Sequence, residues 1–353
     1  MDTFRHLNQP TGRLIQLHDK EYLFFGGTAY LSLLNDPAYM ELFITGVRKL
    51  GLNNGTSRNN NVQLGIFDEA EKAISRRFGF EDAILVSGGY LAAQMVVKDL
   101  AGEGEFIYAP NSHPALWLSD NPGIRGEFAD WAAHTVAYIN SSDQKSFVLI
   151  SNTLDNMKPE RYDFKAFRQI NPDKKVILIL DDSHGIGVIN RNRTSVAVEE
   201  LVQENLEVIL LASLAKGMGT DAGVIFGSPQ RIAALRSSTF YIGASPSSPA
   251  SMYALLHGEE IYHRQFDQLQ QNIALFGRLT GNRLSHIPGF SVFTSARVEL
   301  YHFLLQRGFV VSSFPYPLAT DPLLNRLVIC SHHTAADLQQ LADHVNEFTD
   351  QQC

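Results

Sequence analysis

Short apolar runs recur along most of the chain, separated by stretches with the spacing of amphipathic helices. AILVSG (83–88), FIYAP (106–110), SFVLIS (146–151), KVILILDD (175–182), LEVILLAS (206–213) and AGVIFGS (222–228) each read as a strand buried on both faces. Ahead of the first run, FDEAEKAISRRF places Phe67, Ala70, Ala73, Ile74 and Phe78 on one helical face. This alternation predicts an α/β domain with a mainly parallel sheet over about residues 45–250. After the Ser/Pro-rich ASPSSPAS (244–251) the pattern changes. A long helical segment is predicted over about 250–284, followed by FSVFTSARVEL, the strand-like FVVSSFPYP and RLVICSHH, and a last helix in AADLQQLADHVNEFT. Residues 251–353 therefore read as a smaller α+β domain, to which the N-terminal segment 1–44 is assigned.

Composition narrows the class. The 353 residues are 44% hydrophobic and 19% charged, as in an ordinary globular protein. No apolar run approaches the ~20 residues that span a bilayer, and residues 1–20 lack the apolar stretch of a secretory signal. Cys330 and Cys353 are the only cysteines, so neither a disulfide framework nor a thiolate zinc site is expected, and the cytoplasm is the expected compartment. A net charge of −8 argues against an extended nucleic-acid footprint. No membrane and no nucleic-acid partner is therefore expected.

The chemistry concentrates where the apolar runs stop. ILILDDSHGIGVI (177–189) carries a buried strand into Asp181, Asp182, Ser183 and His184. Carboxylates at such a place need partners, in a structural network or in a site. Ligands of α/β folds gather at the carboxyl ends of the strands. After the next run comes SLAKGMG, where Lys216 sits among Ala, Leu, Gly and Met, an environment suited to a nucleophilic amine. An aspartate after a buried strand can pair with a protonated ring nitrogen, as pyridoxal phosphate (PLP) requires, and Asp181 is the candidate, with His184 near the ring hydroxyl. The plainer reading has the aspartates capping a helix, His184 satisfied in the core and Lys216 solvated. In AILVSGGYLAA a strand gives way to Ser87, Gly88, Gly89 and Tyr90 and then a helix, a place where backbone N–H groups can meet a phosphate.

In order, these motifs resemble the α-oxoamine synthase family of fold-type I (aspartate aminotransferase-like) PLP-dependent transferases over nearly the whole chain. YLFFGGTAYLSL (22–33) is similar to its N-terminal segment and GLNNGTSRNNNVQLGIFDEAEKAIS to its Gly-Ser-Arg stretch. SGGYLAA resembles its phosphate loop, NSHPALW the loop of its stacking histidine, DDSHGIG its Asp-x-x-His strand end, SLAKGMG its Schiff-base lysine and RLVICSHHT its C-terminal arginine segment. The resemblance implies that Lys216 carries PLP, Asp181 pairs with the pyridine nitrogen, His184 meets the ring hydroxyl and His113 stacks on the ring. Gly89, Tyr90 and Ser213 would hold the phosphate, with Ser245 contributing from a partner subunit. Arg326 would bind the substrate carboxylate, and Thr28 would contact substrate. It further implies a homodimer with shared active sites that condenses an amino acid with an acyl-CoA and releases CO2. Transamination or aldol cleavage on the same fold, or a PLP-fold binding protein without turnover, are the alternatives. A metal hydrolase on Asp181, Asp182 and His184 is disfavoured for want of a second histidine at ligand spacing.

The departures from the family lie on the substrate side. Thr28 and Ala29 replace an Asn-Asp pair, and Asp155 or Asn156 fills the place of a serine near the cofactor oxygen. The family's Thr-Pro-Pro loop becomes GASPSSP. NNGTSRNNN (53–61) reads as a tight loop, or, with Arg58, as an arm toward a partner's site.

Overall fold

The computed structural model describes residues 4–315, 320 and 323–351. It divides into two compact units, one of residues 41–155 and 161–258 and the other of 1–40, 156–160 and 259–353. In chain order the strands are β1 (Leu14–Leu17), β2 (Lys20–Phe25), β3 (Asp82–Val86), β4 (Glu105–Tyr108), β5 (Ser146–Asn152), β6 (Leu154–Asp155) and β7 (Glu160–Arg161). They continue with β8 (Lys175–Asp181), β9 (Leu206–Ser213), β10 (Gly223–Gly227), β11 (Val292–Ser295), β12 (Phe309–Pro315) and β13 (Leu323–Val328). The helices are α1 (Pro37–Leu50), α2 (Ile66–Phe78), α3 (Gly89–Asp99), α4 (Phe128–Ser141), α5 (Pro229–Arg236), α6 (Thr239–Gly243), α7 (Pro249–His257), α8 (Glu259–Thr280), α9 (Glu299–Gln306) and α10 (Ala335–Asp350). Among the described residues no helix is long and apolar enough to cross a membrane.

The larger unit is built on a six-stranded sheet of order β3-β10-β9-β8-β5-β4. β4, β5, β8 and β9 are parallel, while β10 runs antiparallel to both β9 and β3. Val176 to Leu180 of β8 are at most 2% exposed. Such a strand is apolar at every position because helices cover both faces of the sheet. At roughly 1.5–3 kcal/mol per buried aliphatic side chain, this core outweighs the cost of one desolvated carboxyl at its end. α2 buries Phe67, Ala70, Ile74 and Phe78, while Ala73 is half-buried. It also buries Glu71, which the apolar spacing did not reveal. Arg58 at 3.2 Å, Arg236 at 3.1 Å and the Leu85 N–H at 3.0 Å satisfy that carboxylate. α7 stays with this unit because it packs on α2, and the division falls at 258 rather than 250.

The single helix read over 250–284 is two helices in the structure. Gly258 leaves helical geometry at φ −89°, ψ 9°, and α8 starts afresh at Glu259. The smaller unit carries a five-stranded sheet of order β1-β2-β12-β13-β11, antiparallel except where β2 meets β12. α10 begins with a reciprocal cap between Thr334 and Asp337, and Arg13 grips the same carboxylate with two contacts of 2.6 Å. The strand read over 309–317 ends at Pro315, and its last two residues lie outside the described residues.

Candidate active site

β5, β8 and β9 end at the same edge of the larger sheet, with Asn152 opposite Asp181 and Asp181 opposite Leu211. Alternation along a strand sends neighbouring side chains to opposite faces, which separates the two adjacent aspartates. Asp181 accepts the Ser183 N–H at 2.9 Å and stays partly open. Asp182 is fully buried, held by the Thr153 hydroxyl at 2.7 Å, the Ser195 N–H at 3.0 Å and the Ser195 hydroxyl. Burial pushes its carboxyl up from 3.8 to about 6 against those donors. The structural network of the strand end is thus the work of Asp182, while Asp181 keeps a partly open carboxylate.

This placement makes stability depend on pH. Asp182 has a higher pKa folded than unfolded, so the stabilisation it contributes is complete below about pH 4 and lost as pH rises through about 6. Asp182→Asn removes that titration. Its unfolding free energy relative to wild type, from urea melts, is expected to climb between about pH 4 and 6 and then level off. A flat difference across that range would contradict the assignment.

After β9 the chain turns sharply. The N–H groups of Met218 and Thr220 both reach the Leu214 carbonyl, at 3.1 and 3.2 Å. Gly217 packs so closely that an added Cβ would lie 3.0 Å from Val188 Cγ2. The turn thereby brings the half-buried Lys216 Nζ to 3.2 Å from His184 Nε2. Ser183 ties the two strand ends together by accepting the Ser213 N–H at 2.7 Å.

Next to Ser213 lies the start of α3. Its first internal bond runs from the Ala92 N–H to the Gly88 carbonyl at 3.0 Å, which leaves the N–H groups of Gly89, Tyr90 and Leu91 without intrahelical acceptors. A Cβ on Gly89 would fall 2.8 Å from Ser213 Cα and 3.0 Å from its hydroxyl oxygen. Only glycine allows this approach, and the resulting cradle of N–H groups, helix dipole and hydroxyl suits a phosphate. Gly89→Ala is expected to weaken PLP binding, measurable by fluorescence titration of the apoprotein, and its crowding of Ser213 is expected to lower the stability of the fold by about 1–3 kcal/mol as well.

His113 follows β4 in a loop where Asn111 adopts φ 56°. Its backbone N–H reaches Asn152 Oδ1 at 3.1 Å, and its Nδ1 accepts the Ala115 N–H at 3.1 Å, so the neutral ring carries its proton on Nε2. Burial lowers its pKa, Asp181 partly opposes this, and Lys216 lowers it further, so these three groups share one neighbourhood. Asp155 is buried and takes the Asn111 amide at 2.9 Å and the Tyr162 hydroxyl at 3.4 Å, fixing the loop that carries His113. Asn111 and Asn152 escaped the sequence reading, because their hydrogen bonds join segments 41 positions apart.

Ser245 is exposed between α6 and α7, and Tyr90 is 67% exposed. Arg58 does not extend away from its own chain. Its guanidinium pairs with Asp68 at 2.7 Å and Glu71 at 3.2 Å and lies over the Phe67 ring at 4.7 Å, so the asparagine-rich loop is an anchored turn.

In the smaller unit Arg326 sits on β13 between Ser312 and Thr294 and is 4% exposed. The Tyr30 hydroxyl bonds it, although burial still pushes that phenol up to about 12. Its Nε and Nη2 are buried without a hydrogen-bond partner among the described residues. A buried guanidinium short of acceptors is costly until an anion joins it. Thr28 is half-buried, its carbonyl closing a turn with the Tyr30 N–H at 2.9 Å. Cys330, His332 and His333 also cluster. His333 commits both ring nitrogens to backbone, to the Cys330 N–H and the Phe24 carbonyl at 3.0 Å each, and burial lowers it to about 3. That histidine serves the fold.

An amine beside an imidazole, a carboxylate at the adjacent strand end and a cradle for a phosphate form a set that fits PLP. Comparison with known proteins agrees. The chain belongs to the aminotransferase class I and II family, whose profile matches residues 34–345. Within it, its relatives are α-oxoamine synthases. It is 23% identical to the 8-amino-7-oxononanoate synthase of Hahella chejuensis, covering 97% of this chain and 91% of that one. It is 26% identical to the enzyme of the same name from Alcanivorax borkumensis, covering 96% and 92%. A high-resolution structure of SPT with PLP shares the fold, with a TM-score of 0.81 at 18% identity over 97% of this chain and 91% of that one.

Proposed function

We infer that this chain is a PLP-dependent acyltransferase of the α-oxoamine synthase type, condensing an amino acid with an acyl-CoA as CO2 leaves. The observation that carries the reading is the Lys216 amine 3.2 Å from His184, beside the strand end of Asp181. Bound there, PLP supplies an electron sink for charge that develops at the amino-acid α-carbon. The Asp181 carboxylate would hold a proton on the ring nitrogen, and the neutral His113 ring would cover one face. Gly89, Tyr90 and Ser213 would anchor the phosphate. The Lys216 amine would be placed to take and return the α-proton of the amino acid, with His184 as its hydrogen-bond partner. Arg326 offers paired donors of the geometry that recognises a carboxylate. A homodimer in the cytoplasm, with Ser245 serving the partner's phosphate and Thr28 touching substrate, completes the proposal.

The test is to load purified protein with PLP, reduce with borohydride and map the labelled peptide. Glycine, alanine and serine are then supplied with acyl-CoAs while thiol and CO2 release are followed. Labelling at Lys216 with equal release of both products supports the reading. Labelling with amino-group exchange and no thiol release would place the chain among the transaminating enzymes instead. Labelling with no turnover of any kind would leave a binding protein.

A further inference from the structure

A cavity of about 800 Å³ opens in the larger unit, at the edge of the sheet opposite Lys216. Val208, near the start of β9, and Gly227, the last residue of the antiparallel β10, both line it. Its size falls within the range of small-molecule sites. The walls are apolar where Phe78 and Phe80 back onto Phe226, with ring centroids 5.9 and 4.4 Å away. Val196 and Val208 continue that surface, and Val202 remains 54% exposed at the cavity.

The charge lining the cavity is positive on balance. Arg76, Arg77, Arg161 and Arg193 line it, against Glu81, Glu199 and Glu207. Glu207 is matched from outside by Arg231, through two contacts of 2.9 Å, and Glu199 faces Arg193 at 4.0 Å. Arg161 donates to the Ser195 carbonyl and has further donors to offer. An apolar wall under a guanidinium rim selects a ligand with an anionic head and a hydrocarbon body. It discriminates against cations, and against anions that have nothing to bury.

We propose that this cavity binds an amphipathic carboxylate, its chain along Phe80, Val196 and Val208 and its head at Arg161. The site uses none of the residues assigned to PLP or to the amino acid, so it stands independently of the proposed activity. The test is calorimetric titration of the PLP-loaded protein with octanoate, octanol and inorganic phosphate, repeated on Val202→Glu, Arg161→Gln and Lys216→Ala. Octanoate is expected to bind once per chain, with octanol and phosphate at least about tenfold weaker. Val202→Glu, at an exposed position that leaves the core intact, adds a like charge, and Arg161→Gln keeps a donor for Ser195 but loses the cation. Each is expected to weaken octanoate by about tenfold or more, while Lys216→Ala leaves it unchanged. Octanol or phosphate binding as tightly as octanoate, no octanoate binding, or unaltered binding in both cavity variants would overturn the proposal. Loss of binding in Lys216→Ala would move octanoate to the PLP site and overturn it equally.

Discussion

Lys216→Ala is expected to lower turnover by at least about 10⁴-fold while the protein stays folded. The amine has two duties in the proposed reaction, attachment of the cofactor and transfer of the α-proton, and no other lysine among the described residues stands just after the carboxyl ends of β8 and β9 to replace it. The variant should therefore bind PLP only through the Gly89 and Ser213 cradle, and borohydride should fix no label on the chain. Far-UV circular dichroism should match wild type, since Lys216 is half-buried in a turn held by backbone bonds from Met218 and Thr220. Residual activity within tenfold of wild type would exclude Lys216 as the proton carrier. Retained activity with borohydride labelling at a second lysine would move the cofactor elsewhere.

Arg326→Met should separate binding from folding. The guanidinium lies buried with Nε and Nη2 short of acceptors, so an apolar side chain of similar length removes a desolvated charge and leaves the melting temperature equal or higher. Losing the proposed carboxylate contact should cost about 2–4 kcal/mol, roughly a 30- to 1,000-fold fall in kcat/KM, taken mainly as a rise in KM for the amino acid. A variant that melts well below wild type with KM unchanged would mean that Arg326 serves the β-sheet. The Tyr30 hydroxyl, which bonds the same guanidinium, supplies a check. Tyr30→Phe should raise KM by a smaller factor, because it loosens Arg326 without removing the charge.

Much of the fold was legible because a sheet covered on both faces leaves little choice of residue. All six apolar runs are strands of one sheet, with boundaries shifted by a residue or two. The reading failed where a single residue broke a continuous pattern, as Gly258 does between α7 and α8. It also failed for charges inside the core. Glu71 looks like an exposed member of an acidic helix, yet it is 2% exposed and held by two arginines, one of them 165 positions away.

At the candidate site, sequence by itself determined the inventory. A lysine, a histidine and an aspartate stand just after buried strands, and glycines occupy the two places where backbone must pass close to Ser213 and to the Ile186–Val188 turn. Those features are local, because a strand end and a close approach each restrict the residue at that position. Only the tertiary structure decided how the inventory is used. It left Asp181 partly open near His113 and buried Asp182 against Thr153 and Ser195. It committed Asp155 to Asn111 and bound Arg58 to α2 of its own chain. It also buried Nε and Nη2 of Arg326 without an acceptor among the described residues. These outcomes depend on which face of a strand a side chain takes and on partners tens to hundreds of residues away, and the chain acquires both only when its sheets assemble.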